Sequence, residues 1–178
     1  MGDEAFAPLT LNSLHHVLLQ DGPEAFLERH DAPFLVGPPS PGANEDWSFK
    51  TRSMRTIRAI GGDSPALLDM GFLALAITKR IEGPFMDTVL LGRSQTNDIV
   101  LPAGGISKLH ARLKRGDDYT INLFDAGSSN GTFVGNQQLQ PDKGHLVQPG
   151  DVVSFGDHAF ILFSPHGLLD ILKRLTDA

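Results

Sequence analysis

Apolar residues change their spacing along this chain, and each change marks a different kind of element. Leu11, Leu14 and Leu18 fall at i, i+3 and i+7, one face of a helix, with Thr10, Asn12 or Ser13 available as its N-cap. Asp21, Pro23 and Glu24 stand where a further helical stretch would begin, because proline fits a first turn and carboxylates complement its exposed N–H groups. Pro33 ends that stretch. "GPPSPGANED" (37–46) then has the composition of a surface linker, and "WSFKTRSMRTIRAI" (47–60) alternates in part, as one or two strands would. From residue 71 short runs rich in Val, Ile, Leu and Phe recur: 71–78, 87–91, 98–101, 109–114, 118–124, 132–134, 145–147, 151–155 and 158–163. Gly, Pro, Asn or Asp separates nearly all of them, which predicts an antiparallel β-sandwich. Gly135-Asn136 predicts a primed hairpin turn, since both residues accept positive φ. After Pro165, Leu168, Leu169, Leu172 and Leu175 share one helical face that would pack on the sandwich.

The expected organisation is therefore a helical N-terminal extension at 1–36, a linker or extended segment at 37–70, the sandwich at 71–164 and a C-terminal helix at 165–178. On this reading the sandwich is complete from Gly71 onward.

Composition narrows the classes of function. A length of 178 residues allows one domain with a proper core plus a smaller attachment. There is no cysteine, so neither a disulfide framework nor a thiolate metal site is possible. The net charge of -6 opposes bulk attraction to nucleic acid or anionic lipid. The longest apolar run, "GFLALAI" (71–77), is far shorter than a membrane span. The acidic start "MGDEAFAP" lacks the positive region of a signal peptide. A soluble cytoplasmic protein without cofactor or metal, and with no nucleic-acid or membrane partner, is the expectation.

The candidate chemistry lies between the strands. Arg93 follows "DTVLLG", Ser107 follows the glycine-containing "PAGGI", and Ser129-Asn130 lies in the turn "GSSNGT"; three such loops can meet at one end of a sandwich. Arg presents a rigid fork that matches phosphate bidentately. A Ser hydroxyl and loop N–H groups can satisfy the remaining phosphate oxygens, and Asn can clasp an extended peptide backbone. Together these residue types suit a phosphate carried on a peptide.

The string "GRSQTNDIVL…ISKLHARL…DAGSSNGTFV…PGDVVSFG" resembles the forkhead-associated (FHA) domain, over about residues 71–163 with the signature spread from Gly92 to Gly156. The resemblance, to a bacterial-type FHA protein, implies an eleven-strand sandwich of two sheets that binds phosphothreonine peptides and has no catalytic activity. It implies that Arg93 takes the phosphate, Ser107 hydrogen-bonds it, Lys108 adds a flanking contact, Ser129 contacts phosphate or peptide, and Asn130 holds the peptide backbone. Gly92, His110 and Gly131 would be structural, with His110 pinning the loops. The partner implied is a phosphothreonine-containing protein, a Ser/Thr kinase or its substrate. Two departures stand out: Gly135-Asn136 inverts the common Asn-Gly order, and the "AGG" before Ser107 lacks an acidic residue often found there, which would leave that loop more mobile.

Rival readings exist. A phospho-independent docking module would use the same fold. "GSSNG" (127–131) fits G-x-S-x-G, with Ser129 as nucleophile and Asp151 followed by His158 or His166 in hydrolase order, but that motif needs a strand-to-helix elbow. His15-His16 diverge by about 100° on a helix and lack a third metal ligand. Thr51 and Thr56, among Lys50, Arg52, Arg55 and Arg58, could be kinase targets.

Overall fold

The computed structural model describes residues 9–39 and 66–177. The segment "WSFKTRSMRTIRAI", with Thr51 and Thr56, lies outside the described residues, as does most of the expected linker. The chain runs α1 (Leu11–Arg29), β1 (Phe34–Gly37), α2 (Ala66–Asp69), β2 (Leu73–Ala76), β3 (Thr88–Gly92), β4 (Ile99–Val100), β5 (Ala111–Arg115), β6 (Ile121–Asp125), β7 (Thr132–Val134), β8 (Gln137–Gln138), β9 (His145–Val147), β10 (Val152–Phe155), β11 (His158–Phe163) and α3 (Pro165–Asp177). One sheet has the order β2-β1-β11-β10-β7-β8 and the other β4-β3-β5-β6-β9. Pairing is antiparallel except between β3 and β4. The turn spacing anticipates the antiparallel sandwich, and the eleven strands in two sheets among the described residues are those that the FHA resemblance implies, with a helix toward each end of the chain.

Leu91, Ala111, Leu113, Leu123, Val153, Phe155 and Leu162 fill the space between the sheets. The six-stranded sheet is covered on its other face too, where Phe34, Val36, Ala74 and Ile161 meet Leu11, Leu14 and Leu18 of α1 and Leu168 and Leu172 of α3. That double burial explains why β1 reads "FLVG" and β11 "HAFILF", near-continuous apolar runs without alternation. Of the three N-cap candidates, Thr10 caps α1, in a reciprocal box with Ser13. Gly22, at φ +82, bends α1 just before Pro23, so the element is two helical stretches joined at a kink.

Three expectations change. The sandwich does not begin at Gly71, because β1 lies between β2 and β11 and pairs with both. The polar strand β8 escapes a hydrophobic pattern altogether. In the two-residue turn joining β7 to β8, positive φ falls on Gly135 (+56) and not on Asn136.

Phe34, Leu35 and Val36 are fully buried, and each such side chain contributes about 1.5–3 kcal/mol. A fragment beginning at Asp69 would leave β2 without its neighbour and expose the apolar outer face of β11. It is expected to lose cooperative unfolding or to melt well below the full chain. Circular dichroism melts of the two proteins check this; coincident midpoints would restore a domain boundary near Gly71.

Candidate functional site

The loops after β3, before β5 and before β7 come together at one end of the sandwich. Gly92 makes the first approach possible: a Cβ there would lie 2.4 Å from the Lys108 carbonyl oxygen and 2.9 Å from Asn97 Nδ2. Its neighbours then cross-link the loops, with Arg93 N–H donating to the Ser107 carbonyl (2.9 Å) and Ser94 N–H to the Lys108 carbonyl (3.1 Å). Buried Asn97 donates through Nδ2 to the carbonyls of Ser94 (2.9 Å) and Lys108 (2.6 Å).

His110 joins this pair of loops to the third. Its Nδ1 accepts from the Ser107 N–H (3.1 Å), so Nε2 carries the hydrogen of the neutral ring and donates to the Gly131 carbonyl (3.1 Å). The ring is fully buried and meets Phe155 edge-on at 5.7 Å between centroids. Burial pushes its pKa below the ordinary histidine value, and the bond to Gly131 and the nearby Asp125 charge oppose that only in part. A proton on Nδ1 would set a donor against the Ser107 N–H, so the loop junction requires the neutral ring.

Asp125 organises the third loop. Its carboxylate accepts from the N–H groups of Gly127 (2.9 Å) and Ser128 (3.0 Å) and from the hydroxyls of Ser128 and Thr132 (both 2.6 Å). Burial raises its pKa, yet these bonds outweigh burial and hold the carboxyl below the usual range. Ser128 in turn accepts from the Gly131 N–H (3.0 Å), and Gly131 takes φ +84, where a side chain would be strained and crowded by Gln138 and Phe133. Asp98 does the same for the far side of the β3–β4 loop. Burial pushes it up, but the Leu90 and Ile81 N–H groups, Lys79 and the Arg80 N–H hold it down.

Arg93, Ser107, Lys108, Ser129 and Asn130 all line one opening, with Gly105 and Ile106 as the rest of its wall, around a volume of about 340 Å³. The expected contact residues are thus brought together, and Gly92, His110 and Gly131 sit behind them. Arg93 donates through Nε to the Ile106 carbonyl (3.2 Å), which orients the guanidinium and leaves its two terminal amino groups without a partner among the described residues. The Ser107 hydroxyl oxygen accepts from the Ser129 N–H (3.0 Å), so its own hydrogen remains to be donated. Asn130 donates through Nδ2 to the Gly105 carbonyl (2.9 Å), keeping Oδ1 as an acceptor. A fork of donors, a hydroxyl, an ammonium and an amide around one opening suit a tetrahedral anion with an adjoining peptide backbone.

The residues that sequence reasoning missed are Asn97, Asp98, Asp125, Ser128 and Thr132. Asp125 had a readable signal, since Asp two and three residues before Gly and Ser favours an Asx-type turn. The hydrolase geometry is not formed: Ser129 is followed by strand β7 and not by a helix. Its presumed partners are engaged elsewhere, Asp151 with the Gln148 N–H (2.9 Å) and His158 with the Gly104 carbonyl (3.0 Å).

The lowered pKa of His110 fixes the sign of a pH effect. The unfolded ring binds a proton near pH 6.5 while the folded ring resists it, so the unfolded state holds more protons and stability falls as pH drops below about 6.5. His15 and His30, also shifted down mainly by burial, act in the same direction. Urea unfolding at pH 7 and pH 5 is expected to show lower stability at pH 5, each group adding at most about 1.4 kcal/mol per pH unit. His110→Gln is expected to be less stable than wild type at pH 7 and to lose less on acidification. An unchanged pH 7 to pH 5 difference in that variant would contradict the buried neutral ring.

A family model described as the FHA domain matches residues 89–156. Protein FraH of Nostoc sp. is 39% identical over 59 residues, which cover 33% of this chain and 20% of that protein. An FHA domain-containing protein of Arabidopsis thaliana, At4g14490, is 34% identical over 76 residues, covering 42% of this chain and 19% of that one. The chain thus spans about a fifth of the length of these curated relatives. Among solved structures, the FhaA FHA domain complexed with the intracellular domain of Rv3910 is 30% identical, with 47% of this chain and 84% of that chain covered and a TM-score of 0.38. An FHA domain from a study of phosphothreonine-dependent FHA interactions is 19% identical, with 73% and 95% covered and a TM-score of 0.41. The residues matched by the FHA domain model, 89–156, hold the strands from β3 to β10 and all three loops of the opening.

Proposed function

We propose that this chain is a phosphothreonine-dependent protein–protein interaction module, an adaptor in Ser/Thr kinase signalling. The observation that carries the reading is the grouping of Arg93, Ser107, Lys108, Ser129 and Asn130 around one opening, with the terminal amino groups of Arg93 uncommitted among the described residues. The match of residues 89–156 to the FHA domain model supports it, as do similar FHA domains that act in phosphothreonine-dependent interactions or bind another protein's intracellular domain. Arg93 takes two phosphate oxygens, Ser107 donates its hydroxyl to the third, and Lys108 adds charge at the rim. Ser129 supplies a flanking polar contact, and Asn130 receives a peptide N–H on Oδ1. The partner is a phosphorylated kinase or a kinase substrate.

The chain's net charge of -6 repels a phosphate at long range, so affinity comes from short contacts inside the opening. A phosphate offers three acceptor oxygens and about -1.5 to -2 charges, whereas a carboxylate offers one charge in a plane. Threonine brings a methyl worth about 0.8 kcal/mol if buried, and a stiffer χ1 than serine.

Fluorescence anisotropy with four matched peptides is expected to rank phosphothreonine above phosphoserine, by roughly tenfold, with Glu a poor mimic and unmodified Thr undetectable. Binding weakens as pH falls through about 6, where the phosphate gains its second proton. Equal affinity for the phosphorylated and plain threonine peptides would instead make the chain a phospho-independent docking module.

Arg93→Ala is expected to weaken phosphopeptide binding at least a hundredfold, because two charge-assisted hydrogen bonds of about 1.5–3 kcal/mol each are lost. The melting temperature should change little, since the side chain is exposed. Calorimetric affinity equal to wild type would remove Arg93 from the site.

A further inference from the structure

The β10–β11 hairpin is tied to the site by contacts that the reading above does not use. His158, the first residue of β11, pairs with Phe155 across the turn Gly156-Asp157. Its side chain is only 7% exposed, and Nε2 lies 3.0 Å from the Gly104 carbonyl oxygen. A carbonyl can only accept, so Nε2 carries the hydrogen. The next two carbonyls of the same loop are also held by side chains: Gly105 by Asn130 Nδ2 (2.9 Å) and Ile106 by Arg93 Nε (3.2 Å). Three consecutive carbonyls are therefore fastened by three side chains from three other parts of the chain.

The turn itself closes against this loop and against the loop before β7. Gly156 N–H donates to the Gly131 carbonyl (2.8 Å), and a Cβ at Gly156 would stand 3.3 Å from the Gly105 oxygen and 3.4 Å from Asn130 Cβ. The fastened loop needs such support. Gly104 and Gly105 are both exposed, Gly105 takes φ +81, and neither has a side chain to anchor the backbone. If Gly104 moved, Ile106 would carry its carbonyl away from Arg93 Nε and free the guanidinium to rotate.

We propose that His158 is a positioning residue of the phosphopeptide site, holding the Gly104–Ile106 backbone in the form that aims Arg93 and Asn130. This rests on the phosphothreonine reading for its ligand, but the loop effect stands by itself. His158 touches no peptide; it acts by pre-organising the groups that do, which removes an ordering cost from binding. The glycine-containing loop before Ser107, expected from its sequence to be mobile, is on this view fixed from outside by β11.

The test uses the full chain with His158→Phe, which keeps an aromatic ring but loses the donor, and His158→Gln, which restores an N–H. The ligand is a phosphothreonine peptide library degenerate at the flanking positions, followed by anisotropy with its preferred member. Amide hydrogen exchange is read residue by residue without peptide. The expected result is about fivefold weaker binding for His158→Phe, as for one lost neutral hydrogen bond, with recovery to within twofold in His158→Gln. Exchange should quicken at Gly105, Ile106 and Ser107 in the Phe variant and not across β10 and β11 generally. Undiminished binding by His158→Phe, unchanged exchange in that loop, or a general rise in exchange that Gln does not reverse would each overturn the proposal. If wild type binds no phosphopeptide, the functional reading fails separately, and the exchange data still decide whether His158 holds the loop.

Discussion

A buried, neutral imidazole is the junction on which the site depends. His110 has only two polar atoms, and each is committed to the backbone of a different loop: Nδ1 receives the Ser107 N–H, and Nε2 donates to the Gly131 carbonyl. No other uncharged side chain offers an acceptor and a donor on opposite sides of one rigid ring at this separation. The ring must also stay uncharged, since protonation would cost desolvation and reverse one of the two bonds. Gly131 and Ser107 are thereby placed on either side of one fixed spacer, and the neighbours of each, Asn130 and Lys108, inherit that placement. The residues that line the opening can be exposed because the polar residue behind them is buried with both ring nitrogens hydrogen-bonded.

The polar groups beneath the opening follow a common logic. Asp125, Asp98 and Asn97 are buried and each is hydrogen-bonded within the protein, so they contribute shape to the loops. Buried carboxylates of this kind are costly unless hydrogen-bonded, and here the Ser128 and Thr132 hydroxyls and backbone N–H groups compensate Asp125, while backbone N–H groups and Lys79 compensate Asp98. The outer residues differ: Arg93, Ser107 and Asn130 each use part of their bonding capacity to hold the loops and leave part of it open. The side chains that hold the loops are thus the ones that keep open hydrogen-bonding capacity at the opening. Farther from the opening, the helices α1 and α3 cover the outer face of the six-stranded sheet and secure β11, whose first residue reaches back to the site.

The sequence made most of the strand succession from β2 to β11 legible, because glycine, proline and asparagine punctuate apolar runs at intervals that a sandwich requires. It made the residues that line the opening legible through residue type: an Arg, a Ser and an Asn on separate loops have few chemistries in common. It concealed β1, because "FLVG" is buried on both faces and has no alternation, and the prolines beside it suggested an end and not a central strand. It concealed β8, because two exposed glutamines carry no burial signal. Asn97 and Asp98 were hidden for a different reason. Their roles arise from groups at positions 79–81, 90 and 108, brought near only once the sheets form, and no local pattern encodes such a meeting.

The central claim is that the three loops form a single receptor for a phosphothreonine peptide. The most direct measurement is a titration of the ¹⁵N-labelled chain with a phosphothreonine peptide selected from a degenerate library, and again with that peptide after phosphatase treatment. The account predicts saturable shifts of the Arg93, Ser107, Lys108, Ser129 and Asn130 amides with the phosphorylated peptide, all fitting one affinity, and none with the dephosphorylated form. Equal shifts with both peptides, or shifts confined to residues away from these loops, would contradict it.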